Sequence, residues 1–324
     1  MLTTPAKDNA PTPLPRAIAI AAALTVLVAV LVLAFTWPAA TSAPRNINVA
    51  IVGPQPVVAL LQNQLPEPAR EMLNISTLGS REEAIAAIES REIQGAIILG
   101  AAPELLSASA NGAINQAIAQ MATAMPQNLA GGAQLTVTDV VPYSVDDPAG
   151  GLLTSSSFPL LFGGILGGVL ISTLIRGTSR RLVAVAVYAL VSGVVVAAIF
   201  QPWFGALQGD FLSNALALAL SIASITTPII GLVSLIGPGG IAVGAVTMML
   251  IANPISGAGL PAQFLPGAWG VVGQWFPPGA AATLIRELSY FPAADKTFPW
   301  LILLGWVALG VVLSALAPRQ RAAA

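Results

Sequence analysis

The residues of this chain that could take part in chemistry are few, because charged side chains make up only 8% of its 324 positions. Arg286 and Glu287 stand out as adjacent charges in the largely apolar segment ATLIRELSYF (residues 282–291). This pattern is typical of an amphipathic helix at a membrane interface. Neighbouring residues of a helix point in different directions, so the two need not pair. We expect both side chains to reach water; the alternative is a functional pair in an outer segment.

The absence of cysteine and histidine excludes most enzyme chemistry. Thiolate or imidazole metal sites, a cysteine nucleophile and a Ser-His triad all need one of these residues. The two lysines, Lys7 and Lys296, do not follow a glycine as the Walker A motif requires. We therefore expect no enzyme activity, no catalytic residue, no cofactor, no metal ion and no ATP site of this kind. The net charge of -1 offers no basic surface for nucleic acid.

Lipid must be the solvent for much of the chain, because 56% of its residues are apolar and the mean hydropathy is +0.81. Residues 1–16 are polar and rich in proline, which predicts a disordered cytoplasmic tail. Residues 17–37 carry no charge and are long enough to cross a bilayer, which predicts the first transmembrane helix. The alternative is a cleaved signal peptide ending at the small residues 41–43, although the apolar run is longer than such peptides usually have.

A small α/β domain is predicted for residues 44–150, which are more polar and show short alternations of apolar and polar residues. Ser80 and Glu83 have the spacing of a capping box at a helix start. The charged residues that follow, from Arg81 to Glu92 and including Arg91, are interpreted as a solvated helix face without a chemical role. Strands are predicted at 47–53, 95–100 and 134–141, and a second helix at 103–125.

Five further apolar runs in residues 154–318 predict a membrane bundle. They lie at about 155–175, 182–200, 211–236, 240–252 and 298–317. The fourth of these runs is too short for a full crossing, which predicts a half-length or re-entrant element. The predicted fold class is therefore a membrane all-α helical bundle of six spans, with a small extracytoplasmic α/β domain inserted after the first span.

The orientation follows from the basic residues, which concentrate on the cytoplasmic side of membrane proteins. Basic residues lie before the first span, in the loop RGTSRR (residues 176–181), and in the tail 319–324. These clusters share one side only if there are six spans and both termini are cytoplasmic. The tryptophans near the opposite interface are Trp37, Trp203, Trp269, Trp275 and Trp300.

Two features of the predicted spans concern how the helices pack. Overlapping small-xxx-small pairs in FGGILGGVL let another backbone approach closely, either within one subunit, which we favour slightly, or across a homodimer. These glycines are Gly163, Gly164, Gly167 and Gly168. Pro228 interrupts the fourth span, and the hydroxyls of Thr226 and Thr227 could satisfy the carbonyls it frees. We predict a simple kink there; a gating hinge is the alternative.

The order of parts and two local stretches resemble the membrane subunits of type 2 ABC exporters, particularly the phage infection protein (YhgE/Pip) branch. The stretches are INVAIVG (residues 47–53) and the segment from NPISGAGLP to LIRELSYF (residues 253–291). The resemblance implies re-entrant outer helices within 253–297 and the plasma membrane of a bacterium as the location. It also implies ATP-binding subunits on a separate chain, contacted through the loop that carries Arg176, Arg180 and Arg181.

The function that this resemblance implies is a permease-like subunit of an exporter for a hydrophobic or amphipathic substrate, acting as a dimer. No charged residue lies centrally in a predicted span, which disfavours a proton- or ion-coupled transporter. The alternative is a non-transporting membrane protein whose outer domain binds a partner or assists cell-envelope assembly.

Overall fold

The computed structural model describes residues 11–64, 67–100, 102–123 and 135–317. Most of the predicted tail 1–16 and all of the tail 319–324 lie outside these ranges. The first helix, α1, spans Leu14–Thr41, so it begins inside the predicted tail and is longer than predicted. None of its most apolar window is buried, as expected for a helix that is surrounded by lipid. Its end meets the rest of the protein through an edge-to-face contact between Trp37 and Trp269.

The α/β domain contains one five-stranded sheet with helices around it. Its elements are β1 (Ile47–Val52), α2 (Gln55–Gln64), α3 (Glu67–Met72), β2 (Leu73–Leu78), α4 (Arg81–Glu89), β3 (Gly95–Ile98), β4 (Glu104–Ser107), α5 (Ala113–Thr123) and β5 (Thr136–Asp139). The strand order is β2-β1-β3-β4-β5, and only the β3–β4 pair is antiparallel. The sheet confirms the predicted small α/β architecture.

The helix start predicted at Ser80 is confirmed by its hydrogen bonds. The Ser80 hydroxyl accepts a hydrogen bond from the backbone N–H of Glu83. The Glu83 carboxylate accepts one from the N–H of Gly79, one residue before the position that a standard capping box uses. Ala84, Ala87 and Ile88 form the buried face of α4, whereas Ile85 is only partly buried.

The helix predicted at 103–125 is wrong in its first half. Residues Glu104–Ser107 form β4, a single helical turn follows at Ser109–Asn111, and α5 begins at Ala113. Leu105 and Leu106 are both fully buried on opposite faces of the sheet, and this packing outweighs their preference for a helix. Strand β2 was not predicted at all. The start of the strand predicted at 134–141 and the end of this helix lie outside the described residues.

The C-terminal half is a helical bundle that encloses one central helix. Its elements are α6 (Gly151–Leu174), α7 (Thr178–Ala198, continued by a π-helical turn to Trp203), α8 (Phe211–Ile236), α9 (Gly239–Val246, continued by a π-helical turn to Ala252), α10 (Trp269–Gly273), α11 (Pro277–Tyr290) and α12 (Thr297–Leu316). Helix α8 is the centre, because 72% of its apolar window is buried by the others.

Five helices in the described ranges are long and apolar enough to cross a membrane: α1, α6, α7 with its π-helical turn, α8 and α12. The segment Gly239–Ala252 is apolar but shorter, as the sequence predicted. Such a set of helices is typical of a multi-pass membrane protein.

The α/β domain and the bundle share one continuous cluster of buried side chains. The cluster contains Ile88 and Ile93 from the domain together with Leu284, Ile285 and Phe291 from α11 and its end. The charged segment around Arg91 therefore lies at the junction between the domain and the bundle.

Candidate functional site

The charged residues Arg286 and Glu287 lie on α11, which begins with Pro277 and Pro278 in the first helical turn, where proline is favoured. Successive helical residues are turned by about 100°, so the two side chains meet different partners. Arg286 donates from Nη1 to the Ala110 carbonyl at 2.7 Å and to the Tyr143 hydroxyl at 3.2 Å. Both partners belong to the polypeptide before α6, so Arg286 joins α11 to the α/β domain.

Glu287 forms an ion pair that the sequence did not predict. Its Oε1 accepts a hydrogen bond from Nη1 of Arg91 at 3.0 Å. The Glu287 side chain is 10% exposed and the Arg91 side chain is 20% exposed. The Arg91 guanidinium also lies 5.0 Å from the ring centre of Phe291, within the range of a cation–π contact. Two expectations are therefore wrong: Arg91 is not on a solvated face, and Glu287 does not reach water.

Burial shapes the electrostatics of this pair. Burial raises the pKa of Glu287, and the attraction of Arg91 opposes that rise. Burial also lowers the pKa of Arg91, with Glu287 opposing the change and Arg286 adding to it. Removing one partner of such a pair leaves an uncompensated buried charge, which is strongly destabilising.

Arg91 has a backbone conformation that is uncommon for a residue with a side chain. Arg91 has a φ of 61°, in the left-handed region just after the end of α4. Glycine usually takes this position, and a residue with a Cβ costs about 1 kcal/mol there. The contacts with Glu287 and Phe291 offset that cost. A positive φ is not visible in a sequence, so no sequence signal pointed to this residue.

A cavity of about 380 Å³ lies between the α/β domain and the segment 257–287, and the Arg91, Arg286 and Glu287 side chains line it. Asn111 and Tyr143 also contribute to its wall. Both polar side-chain atoms of Asn111, and Oε2 of Glu287, are buried without a hydrogen-bond partner among the described residues. The cavity is thus polar and incompletely satisfied. In the described ranges, no group of three or more acidic residues is placed to hold a metal ion.

The four glycines of α6 contact helices of the same chain. A Cβ atom on Gly164 would lie 2.8 Å from Cβ of Ile225, and one on Gly168 would lie 2.9 Å from Cβ of Ile229, both on α8. Gly163 and Gly167 instead face the ring of Tyr188 on α7, whose hydroxyl donates to the Gly163 carbonyl at 2.9 Å. This geometry agrees with packing within one subunit.

Helix α8 continues through Pro228. The Thr227 hydroxyl donates to the Ala223 carbonyl one turn back, whereas the carbonyl that Pro228 leaves without its helical N–H is that of Ser224, so this bond does not fill the predicted role. The Thr226 hydroxyl instead crosses to the Gly164 carbonyl at 2.8 Å, so it joins α8 to α6. Gly310 of α12 lies directly against the backbone at residues 227 and 228. Pro228 is therefore enclosed by two neighbouring helices.

The predicted basic loop 176–181 is shorter than expected, because α7 begins at Thr178 and includes Arg180 and Arg181. Arg176 and Arg180 are exposed. Arg181 turns back and donates to the carbonyls of Ser172 and Ile175, both at 2.8 Å, so it caps the end of α6. Only Arg176 and Arg180 keep their guanidiniums free for another molecule among the described residues of this loop.

An apolar groove of about 520 Å³ runs between α7 and α12, with α8 at its base. Leu190, Leu216, Trp300 and Leu304 are among the side chains that line it.

In comparisons with known proteins, no family model, no curated protein and no solved structure matches this chain.

Proposed function

We propose that this chain is the permease-like transmembrane subunit of an ABC-type exporter, with six crossings and the α/β domain outside the cell. Helix directions support this topology. Gly164 and Gly168 of α6 meet Ile225 and Ile229 of α8 in ascending order, so these helices are parallel. Gly193, near the end of α7, meets the start of α8, so α7 is antiparallel to them. The basic segment 176–181, where α6 connects to α7, therefore lies at the end away from the α/β domain, which is the cytoplasmic side by the positive-inside rule.

The sixth crossing is supplied by the short apolar element. Gly240 contacts the backbone at Leu232 and Gly244 contacts Ile229, so α9 returns antiparallel to α8. Its 14 residues with the π-helical turn reach about 20 Å, less than the ~30 Å hydrocarbon core. The irregular segment 253–268 completes the passage.

The observation that carries the proposal is the folded segment after this half-length helix. Residues 253–276 contain short turns and α10, and they pack against α11, whose Ala280, Ala281 and Leu284 are buried. Irregular backbone at membrane depth is tolerated only where protein buries it or where it lines a cavity, and such broken elements recur in transporters. This arrangement agrees with the re-entrant outer helices that the resemblance implies.

The apolar groove between α7 and α12 supports a hydrophobic or amphipathic substrate, because its lining offers almost no polar partner. The spanning helices carry almost no charge, which disfavours coupling to an ion gradient. We therefore assign the energy supply to a separate ATPase. Arg176 and Arg180 are exposed, and we expect them to contact it.

A photo-crosslinking amino acid at the exposed position Ser179 tests this proposal in the native host. We expect it to capture a protein with a P-loop ATPase fold, whereas the same group at Val145, which is 91% exposed on the α/β side, does not. If Val145 captures the ATPase, or if Ser179 captures none in a correctly folded protein, the proposal is wrong.

A non-transporting role in the cell envelope is the second candidate, and the sheet edges favour it. Strand β5 is an edge strand and is largely exposed, with Val137 59% exposed. An open edge offers backbone groups to a binding partner. Crosslinks from Val137 to an envelope protein, with none from Ser179 to an ATPase, would favour this function.

A further inference from the structure

We propose that the cavity between the α/β domain and α11 binds a small ligand carrying a phosphate or carboxylate group. Its volume of about 380 Å³ lies within the range of small-molecule sites. The charged side chains that line it are two arginines, Arg91 and Arg286, and one acid, Glu287, which gives a net charge of +1. This inference does not depend on transport, and it concerns a different place from the apolar groove.

The two guanidiniums keep most of their donors free for a ligand. Of the nitrogen atoms in these two guanidiniums, only Nη1 of Arg91 and Nη1 of Arg286 donate a hydrogen bond to a described residue. The Nε and Nη2 groups of both side chains have no hydrogen-bond partner in the part of the chain that the structure describes. Arginine is planar and always charged, and its fork of N–H groups fits phosphate and carboxylate oxygens.

The wall of the cavity also holds polar atoms that lack partners. Asn111 is only 4% exposed, and neither its amide nitrogen nor its oxygen has a partner among the described residues. Oε2 of Glu287 is in the same state. Buried polar groups without a hydrogen bond cost stability. Rotation of the Asn111 amide, whose terminal torsion is soft, would bring it to a ligand. A ligand that carries an O–H or N–H donor beside its anionic group would satisfy the Asn111 side-chain oxygen.

A purely structural junction would not need this charge imbalance. One arginine suffices to neutralise Glu287, yet the second arginine also lines the cavity, and its hydrogen-bond partners among the described residues are neutral, the Ala110 carbonyl and the Tyr143 hydroxyl. The excess positive charge beside the cavity therefore favours an anionic ligand. The ligand can be a soluble phosphate compound or the head group of a phospholipid, which present the same chemistry.

The test measures binding to the full chain, delipidated in a detergent without phosphate. Glycerol 3-phosphate and phosphoethanolamine are titrated by calorimetry, and phosphatidylglycerol and phosphatidylethanolamine are added in native mass spectrometry. We expect saturable binding of one of these sets. We expect Arg286→Gln to weaken it about tenfold or more, because a charged hydrogen bond is lost. Ala282→Phe places bulk in the cavity without changing its charge and should abolish binding.

Two further variants separate a binding site from a structural contact. Arg81→Gln removes another ion-paired arginine of the same domain, one that does not line the cavity, and should leave binding unchanged. Glu287→Gln removes the competing carboxylate and should tighten anion binding, although it weakens the junction.

Binding of the soluble compounds identifies a soluble ligand, and binding of the phospholipids alone identifies a head group. The proposal is overturned if neither set binds saturably to the folded protein. It is also overturned if Ala282→Phe binds as well as the parent, or if Glu287→Gln, while folded, loses binding.

Discussion

Replacing Gly164 and Gly168 by leucine should break the contact between α6 and α8. A single Cβ atom at these positions would already lie 2.8 Å and 2.9 Å from Ile225 and Ile229, short of the 3.4 Å at which ordinary van der Waals contact begins. The remaining leucine atoms have no space, so the helices must separate. The Thr226 hydroxyl would then lose its 2.8 Å hydrogen bond to the Gly164 carbonyl.

The opposing effects can be compared in size. Overpacking costs about 3 kcal/mol at each tightly packed site, at the upper end of the usual range. Loss of the hydrogen bond costs about 1 kcal/mol more. Leucine is a better helix former than glycine by about 0.8 kcal/mol per site. Overpacking therefore wins, with a net loss of about 5 kcal/mol, which is a large part of the stability of a typical protein.

Thermal unfolding in detergent, followed by tryptophan fluorescence, measures this loss. We expect the apparent Tm of the double variant to fall by about 10 °C. Gly305→Leu on α12 is the matched control, because no atom lies within 4 Å of a Cβ there. Gly193 is unsuitable as a control, since its Cβ would lie 2.5 Å from the Ala215 carbonyl oxygen. If the double variant melts like the control, the close contact is wrong. If it folds but turns from dimer to monomer, the glycines join subunits instead.

Three further predictions concern the junction, the topology and acid stability. Glu287→Gln leaves its buried arginine partner unpaired and should cost about 3 kcal/mol; an unchanged Tm in thermal unfolding would contradict this. A cysteine at Val145 should react with an impermeant maleimide in intact cells, and one at Ser179 only after permeabilisation; the reverse would invert the topology. The Arg81 guanidinium lowers the pKa of Glu104 from 4.5 to about 2. This pair therefore stabilises the fold above pH 4.5, and that stability is lost as the pH falls toward 2. In a pH series of melting curves Glu104→Gln should flatten the acid limb, and an unchanged limb would contradict this.

The features that were predicted well depend on local sequence. Helix α8 has the same bounds as the predicted apolar run, 211–236. The length and hydropathy of such a run are enough to predict a helix in a membrane protein. The cap at Ser80 needs only residues within one turn. The short apolar helix before Asn253 was also predicted, because the apolar run in the sequence is too short to cross a membrane.

The features that were missed depend on contacts between distant segments. Arg91 and Glu287 are 196 positions apart, and nothing near either residue indicates the other. Strand β4 forms because it pairs with β3 on one side and β5 on the other. Its leucines do not predict this pairing, because leucine also favours a helix. The cavity likewise arises where segments distant in the sequence meet, so its polar lining could not be assembled from sequence patterns.

The central claim is that this chain works as the membrane subunit of an ATP-driven exporter. It is tested most directly by purifying the full chain from its native host through a tag, in mild detergent, and measuring vanadate-sensitive ATP hydrolysis. We predict that a P-loop ATPase co-elutes with the chain and that the hydrolysis rises when an amphipathic substrate is added. A folded, monodisperse chain that elutes without any ATPase and without ATP hydrolysis would contradict the claim.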